Sequence, residues 1–218
     1  MISTIILDFD GVILESVSVK TEAFRELFSS EPDHVEEIVQ FHIENGGMSR
    51  FDKIRYIYSH ILRKELTEIQ FHHLSASFAD LVLEKVIQSP FVPGAKEFLQ
   101  NNYTKVPLYV VSATPEDELR NIVGQRGLAG FFRGVYGAPV KKIDHIYKIL
   151  AENGYKKENT VFIGDALNDL IAAEECGIRF IGRIYPGDND PFVGNPTVES
   201  TISTLFELGP ILVDEVHT

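Results

Sequence analysis

The apolar positions of this chain change their period twice, and the changes divide it into three stretches. The first is short. Ile5-Ile6-Leu7 runs without a polar break, the pattern of a strand buried on both faces of a parallel sheet. From about residue 19 to residue 88 the period is helical throughout. One helix carries Val19, Phe24, Leu27 and Phe28, and a second carries Val35, Ile38, Val39 and Ile43 before stopping at Gly46-Gly47. A third opens at Ser49, a residue type that caps helices well, and spaces Phe51, Ile54, Tyr58, Ile61 and Leu62 along one face. A fourth follows Thr67 with Leu74, Phe78, Leu81, Val82 and Val86.

Pro90 and Pro93-Gly94 end the helical stretch, and strands then alternate with helices. Helices are expected over 95–101, 115–125, 143–152 and 167–176, and strands over 106–111, 134–136 and 160–163. The last clear strand is 180–184, with a short helix over 202–208 closing the chain. This alternation implies the α/β class: a doubly wound, Rossmann-like parallel-sheet core with an all-helical domain inserted after its first strand. The expected division is a core of residues 1–15 and 90–218 and a helical domain of residues 16–89, with residues 12–18 as a flap.

Composition narrows the class. A chain of 218 residues holds one ample core with a smaller insertion. Its net charge of −12 argues against nucleic acid and anionic membrane surfaces as partners, although a local metal or lysine can still dominate the field at a site. Cys176 is the single cysteine, which excludes an internal disulfide, fits a reducing compartment and reads as a packing residue. No apolar run approaches the roughly 20 residues of a membrane span, and the first residues lack a basic leader, so the expected location is the cytoplasm.

Ligands of doubly wound sheets bind beyond the carboxyl ends of the strands. The polar clusters fall there: Asp8 and Asp10 after Ile5–Leu7, Ser112 and Thr114 after residues 106–111, and Asp165 after residues 160–163. Strand alternation turns Asp8 and Asp10 to one side, and two carboxylates at a buried strand end call for a cation. Hard oxygen ligands suit magnesium, shared by Asp8, Asp165 and the Asp10 carbonyl. Asp165 and Asp169 also suit a simpler role, capping the helix that follows. Lys141 or Lys142 could offset the repulsion between a carboxylate and a phosphate, while Ser112 and backbone N–H groups near Ala113 offer phosphate donors. Asp10 would act as general acid and then base, with its pKa raised by neighbouring negative charge.

Taken together these motifs resemble the haloacid dehalogenase (HAD) superfamily of phosphohydrolases over nearly the whole length. Asp8-Phe9-Asp10-Gly11-Val12 matches that family's first motif, Ser112 its second, and Gly164-Asp165 with Asp169 its fourth. For the third, a single lysine, Gly137-Ala138-Pro139-Val140-Lys141-Lys142 favours Lys142, with Lys141 left open. The helical insertion resembles a C1-type cap of the phosphoglycolate phosphatase and β-phosphoglucomutase branch. The resemblance implies that Asp8 is a nucleophile forming an aspartyl-phosphate and Asp10 the acid/base. It further implies that Ser112, Ala113 and Lys142 bind phosphate and that Asp8, Asp10, Asp165 and Asp169 serve Mg2+. An acid at position 10 favours phosphoryl chemistry over dehalogenation, since a halide leaves without a proton.

Substrate choice would rest on cap residues, with Arg50, Lys53 and Arg55 the candidates. The seven histidines show no ligand spacing and read as surface or packing residues. The expected activity is magnesium-dependent hydrolysis of a small phosphorylated metabolite, a sugar phosphate or a phosphoglycolate-like acid, by a monomer or homodimer. Two rivals stand beside it: a phosphosugar mutase using the same aspartates, and a non-catalytic metabolite-binding protein on the same fold.

Overall fold

Strand β1 (Thr4–Leu7) is buried at all four residues, with a strand paired to each edge and an apolar cluster packed on each face. The computed structural model describes residues 2–213. Its sheet has six strands in the order β3-β2-β1-β4-β5-β6, with β2 (Leu108–Pro115), β3 (Gly134–Ala138), β4 (Thr160–Gly164), β5 (Arg179–Arg183) and β6 (Val198–Ile202). Every neighbouring pair is parallel. Side chains alternate across the sheet, so Ile5 and Leu7 join one apolar cluster and Ile6 the other. Helices α5 (Ala95–Asn102) and α6 (Glu116–Gln125) cover the first face; α7 (Lys142–Asn153) and α8 (Leu167–Cys176) cover the second. Cys176 is buried there.

Between β1 and β2 the chain is helical: α1 (Val17–Leu27), α2 (Val35–Glu44), α3 (Arg50–Tyr56) and α4 (Glu68–Gln88). Ser49 caps α3 by accepting from the Asp52 N–H, and Thr67 opens α4 with a reciprocal capping box to Gln70. A π-helical turn over Ile57–Ile61 ends α3, so the expected third helix is broken after two turns. Phe24, Ile38, Ile57 and Phe78 form the helical interior, in a cluster continuous with the residues below the sheet. No described helix is long and apolar enough to cross a membrane.

Three local expectations change. Residues 12–18 are not a flap: Val12, Ile13 and Leu14 are fully buried, and Leu14 bridges to Asp10 and Phe91. The apolar run there fills the joint between helices and sheet. Strand β2 runs on through Ser112 and Thr114 to Pro115, with an irregular register after Val111. At the far edge β6 takes residues up to Ile202, so the expected closing helix starts later, as a 3-10 turn (Leu205–Glu207) followed by α9 (Leu208–Val213).

Candidate active site

Leu7 stands level with Val110 of β2 and Ile163 of β4, so the residues that follow these three strands meet at one edge of the sheet. Asp8 comes first there and is buried. Its Oδ1 accepts the Phe9 N–H at 2.7 Å, and its Oδ2 lies 2.9 Å from Lys142 Nζ. The same ammonium reaches Asp169 Oδ1 at 2.5 Å. Lys142 therefore bridges two carboxylates from the first turn of α7, while Lys141 is exposed. Burial works to lower the Lys142 pKa, but Asp169 and Asp8 outweigh it and hold the ammonium above its ordinary range. Burial acts the other way on Asp8: it raises the carboxyl, Lys142 opposes, Asp169 and Asp10 add, and the result is about 6.

Asp165 faces Asp8 from the end of β4. A Cβ added at Gly11 would lie 2.0 Å from Asp165 Oδ2, so this close approach requires glycine, which here also has φ +74°. Asp8, Asp165 and Asp169 each offer one oxygen, and the three atoms lie within 4.8 Å of one another. This hard-oxygen set can hold a divalent metal. Asp165 accepts no hydrogen bond among the described residues, and burial with Asp8 and Asp169 pushes its carboxyl well above the usual range; a cation would relieve both. Asp169 is already committed, with Oδ1 to Lys142 and Oδ2 to the Ala166 N–H at 3.1 Å. Asp8 and Asp165 are thus the freer ligands.

Asp10 departs from expectation. Its carboxylate is not part of the acidic trio; it accepts from Ser16 Oγ at 2.6 Å, Thr114 Oγ1 at 2.9 Å and Lys20 Nζ. Burial works to raise its pKa, but Lys20 and these three hydrogen bonds prevail, and Asp10 sits below its ordinary value. The expected rise fails because the nearest charge is a cation from α1, not another carboxylate. Ser112 is buried beside the site, its Oγ accepting the Thr114 N–H at 3.2 Å.

The helical layer closes over these residues. Asn168 Nδ2 donates to Gly46 O at 3.3 Å, and a Cβ on Gly47 would fall 3.2 Å from the Ala166 and Asn168 Cβ atoms. A cavity of about 130 Å³ remains between the layers, reached by Asp8, Asp10, Ser112, Ala113 and Asp165 from the sheet side. From the helical side come Arg50 and Lys53, both buried. Arg55 is not there: it is exposed and stacks 3.9 Å over Phe71.

Three titratable residues not singled out in the sequence, Lys20, His42 and Glu118, are among the others that line the cavity. Lys20 meets Asp10, and Glu118 of α6 pairs with Arg50. His42, buried on α2, places Nδ1 2.9 Å from Lys53 Nζ. Burial first, then Lys53 and Lys20, push His42 down to about 2, so it is neutral and accepts from the lysine. No spacing in the sequence marks these three; each is a polar residue on an amphipathic helix, and only the packing of α1, α2 and α6 brings them together.

A family model described as haloacid dehalogenase-like hydrolase matches residues 2–177. Phosphoglycolate phosphatase 1 of Pseudomonas aeruginosa is 23% identical to this chain, over 94% of it and 78% of the relative. Enolase-phosphatase E1 of Persephonella marina is 24% identical, over 89% of this chain and 93% of its own. Among solved structures, a hydrolase from Pseudomonas syringae superposes with a TM-score of 0.79 at 18% identity, over 98% of this chain and 99% of that one.

Proposed function

The chain belongs to the haloacid dehalogenase-like hydrolases, and we propose that within them it is a magnesium-dependent phosphatase acting on a small phosphate monoester through an aspartyl-phosphate on Asp8. The observation that carries this reading is the buried Lys142, held between Asp8 and Asp169 at the strand end with Asp10 two residues away. That arrangement answers the charge problem of a carboxylate attacking a phosphate. The phosphatase names of the relatives at 23% and 24% identity point the same way.

In this reading an Asp8 oxygen attacks phosphorus in line as the ester P–O bond breaks, and the leaving oxygen takes a proton from Asp10. Water then attacks the acyl phosphate, gives its proton back to Asp10, and frees inorganic phosphate with Asp8 restored. Lys142 draws the phosphoryl oxygens toward Asp8, and Ser112 with the backbone N–H groups near Ala113 supplies neutral donors. Asp8 and Asp165, with Asp169 behind them, would hold Mg2+, which when bound supplies charge for the phosphoryl oxygens. Residues 16–89 act as a cap over a core of residues 1–15 and 90–218, excluding water from the acyl phosphate while the alcohol departs.

Phosphate release from a panel of phosphorylated small molecules, with magnesium and with chelator, tests the proposal. Magnesium-dependent release from at least one ester supports it. No release from any ester, with a folded enzyme and metal present, contradicts it.

A further inference from the structure

The last residue of β5 reaches the turn behind Asp10 without reaching the cavity. Gly182 pairs with Gly164 in the sheet, so Arg183 stands one residue beyond that pair, as Asp165 does. Arg183 is 2% exposed, and its guanidinium serves four acceptors. Nη1 donates to Glu15 Oε2 at 3.0 Å and to the Gly11 carbonyl at 3.2 Å, and Nη2 donates to Glu15 Oε1. Nε donates to the Ser203 carbonyl at 3.2 Å. Neither Arg183 nor Glu15 is among the residues that line the cavity.

Gly11 and Glu15 are the two ends of the turn that follows Asp10. Within it the Gly11 N–H donates to the Leu14 carbonyl at 2.8 Å, and at its exit the Glu15 N–H donates to the Pro90 carbonyl at 2.9 Å. One planar guanidinium thus fixes both ends, with a directionality that an ammonium or an apolar contact lacks. A buried ion pair is a poor source of net stability, because desolvation offsets its attraction; what the bidentate fork adds is orientation. The group oriented is on the next residue. Ser16 is fully buried and donates from Oγ to Asp10 Oδ1 at 2.6 Å. We propose that Arg183, acting through Glu15, is a positioning residue for Asp10: it sets Ser16 so that the Asp10 carboxyl is aimed at the departing oxygen. The role as acid that Asp10 has here rests on the phosphatase reading above.

Two phosphates of matched size separate this role from a merely structural one. Ethyl phosphate expels an alkoxide that must take a proton from Asp10, whereas acetyl phosphate expels acetate, which leaves as the anion. Arg183→Met should lower kcat/KM for ethyl phosphate by about 30-fold and for acetyl phosphate by less than about threefold. Ser16→Ala should show the same selective loss, and the double variant should lose little more than either alone. Arg183→Lys, which keeps the charge but not the fork, and Glu15→Gln should show it too, so the test stands if the Met variant fails to fold. Equal losses on the two compounds overturn the proposal and leave the phosphatase reading standing. Native-state hydrogen exchange reads the same role without turnover. In Arg183→Met the Gly11 and Ser16 N–H groups should exchange faster by about tenfold or more relative to those of β4. That result supports the proposal even if neither phosphate is hydrolysed, and a change no larger than in β4 overturns it.

Discussion

Lys20 Nζ donates both to the Asp10 carboxylate and to Thr114 Oγ1, the latter at 2.7 Å, so one ammonium from α1 ties the first strand's acid to the end of β2. The consequence is kinetic. A general acid must hold a proton when the alcohol leaves, and in the free site Lys20 keeps Asp10 ionised. Lys20→Met removes the group that lowers Asp10, and its pKa rises. The expected outcome is that the alkaline limb of the kcat/KM profile moves to higher pH, measured on any accepted ester. The same pair bears on stability. Asp10 is depressed in the folded state, so its contribution is present above the unfolded carboxyl value and is lost as pH falls through the folded one. Lys20→Met should therefore lower the urea midpoint at pH 7 and change it less near pH 2.

Asp8 and Asp165 have the opposite sign. Asp8 rises from 3.8 to about 6 and Asp165 moves in the same direction. Between pH 4 and 6 the folded protein holds protons that the unfolded chain has released, so without metal its stability falls as pH rises through that window. A divalent ion needs both groups ionised. Magnesium should therefore raise the melting temperature clearly at pH 7.5 and much less at pH 5, and Asp165→Asn should abolish the rise at both. Differential scanning fluorimetry across pH reads this directly.

The two adjacent lysines separate cleanly. Lys142→Met leaves Asp8 and Asp169 buried without their cation, which costs about 3–5 kcal/mol without metal and lowers kcat by about 100-fold or more. Lys141 is exposed, and Lys141→Met should stay within about 0.5 kcal/mol of wild type. Chemical denaturation and initial rates on the two variants make the comparison.

Gly11→Ala places a Cβ where Asp165 Oδ2 now lies and imposes a left-handed φ on alanine. The expected cost is about 1–3 kcal/mol, with magnesium dependence shifted to higher metal concentrations as Asp165 is displaced. An Asp165 variant that shifts metal dependence while Gly11→Ala does not would contradict this account of the glycine.

Much of the architecture could be read from the chain because β1, β2 and β4 are buried on both faces, and a run such as Ile5-Ile6-Leu7 leaves few alternatives. Asp8, Ser112 and Asp165 followed from the same strands, since a parallel sheet brings their ends to one edge. The edge strand β6 escaped because Val198–Ile202 is half exposed and mixes Glu199, Ser200 and Thr201 with its apolar positions. The cap residues show the limit of spacing arguments. On α3, Lys53 lies roughly 60° from Arg50 around the helix and Arg55 roughly 140°, so the first two share the cavity wall while Arg55 stacks outside on Phe71. Lys20 and Glu118 carry no local signal at all. Each becomes visible only when α1 or α6 is packed against the strand ends.

The central claim is that Asp8 carries the phosphoryl group, and acid quenching during turnover with magnesium tests it most directly. The predicted result is a hydroxylamine-sensitive phosphoryl group on the peptide containing Asp8, absent in Asp8→Asn, which also releases no phosphate. Sustained turnover with no phosphorylated enzyme, or a phosphoryl group recovered on another residue, would contradict it.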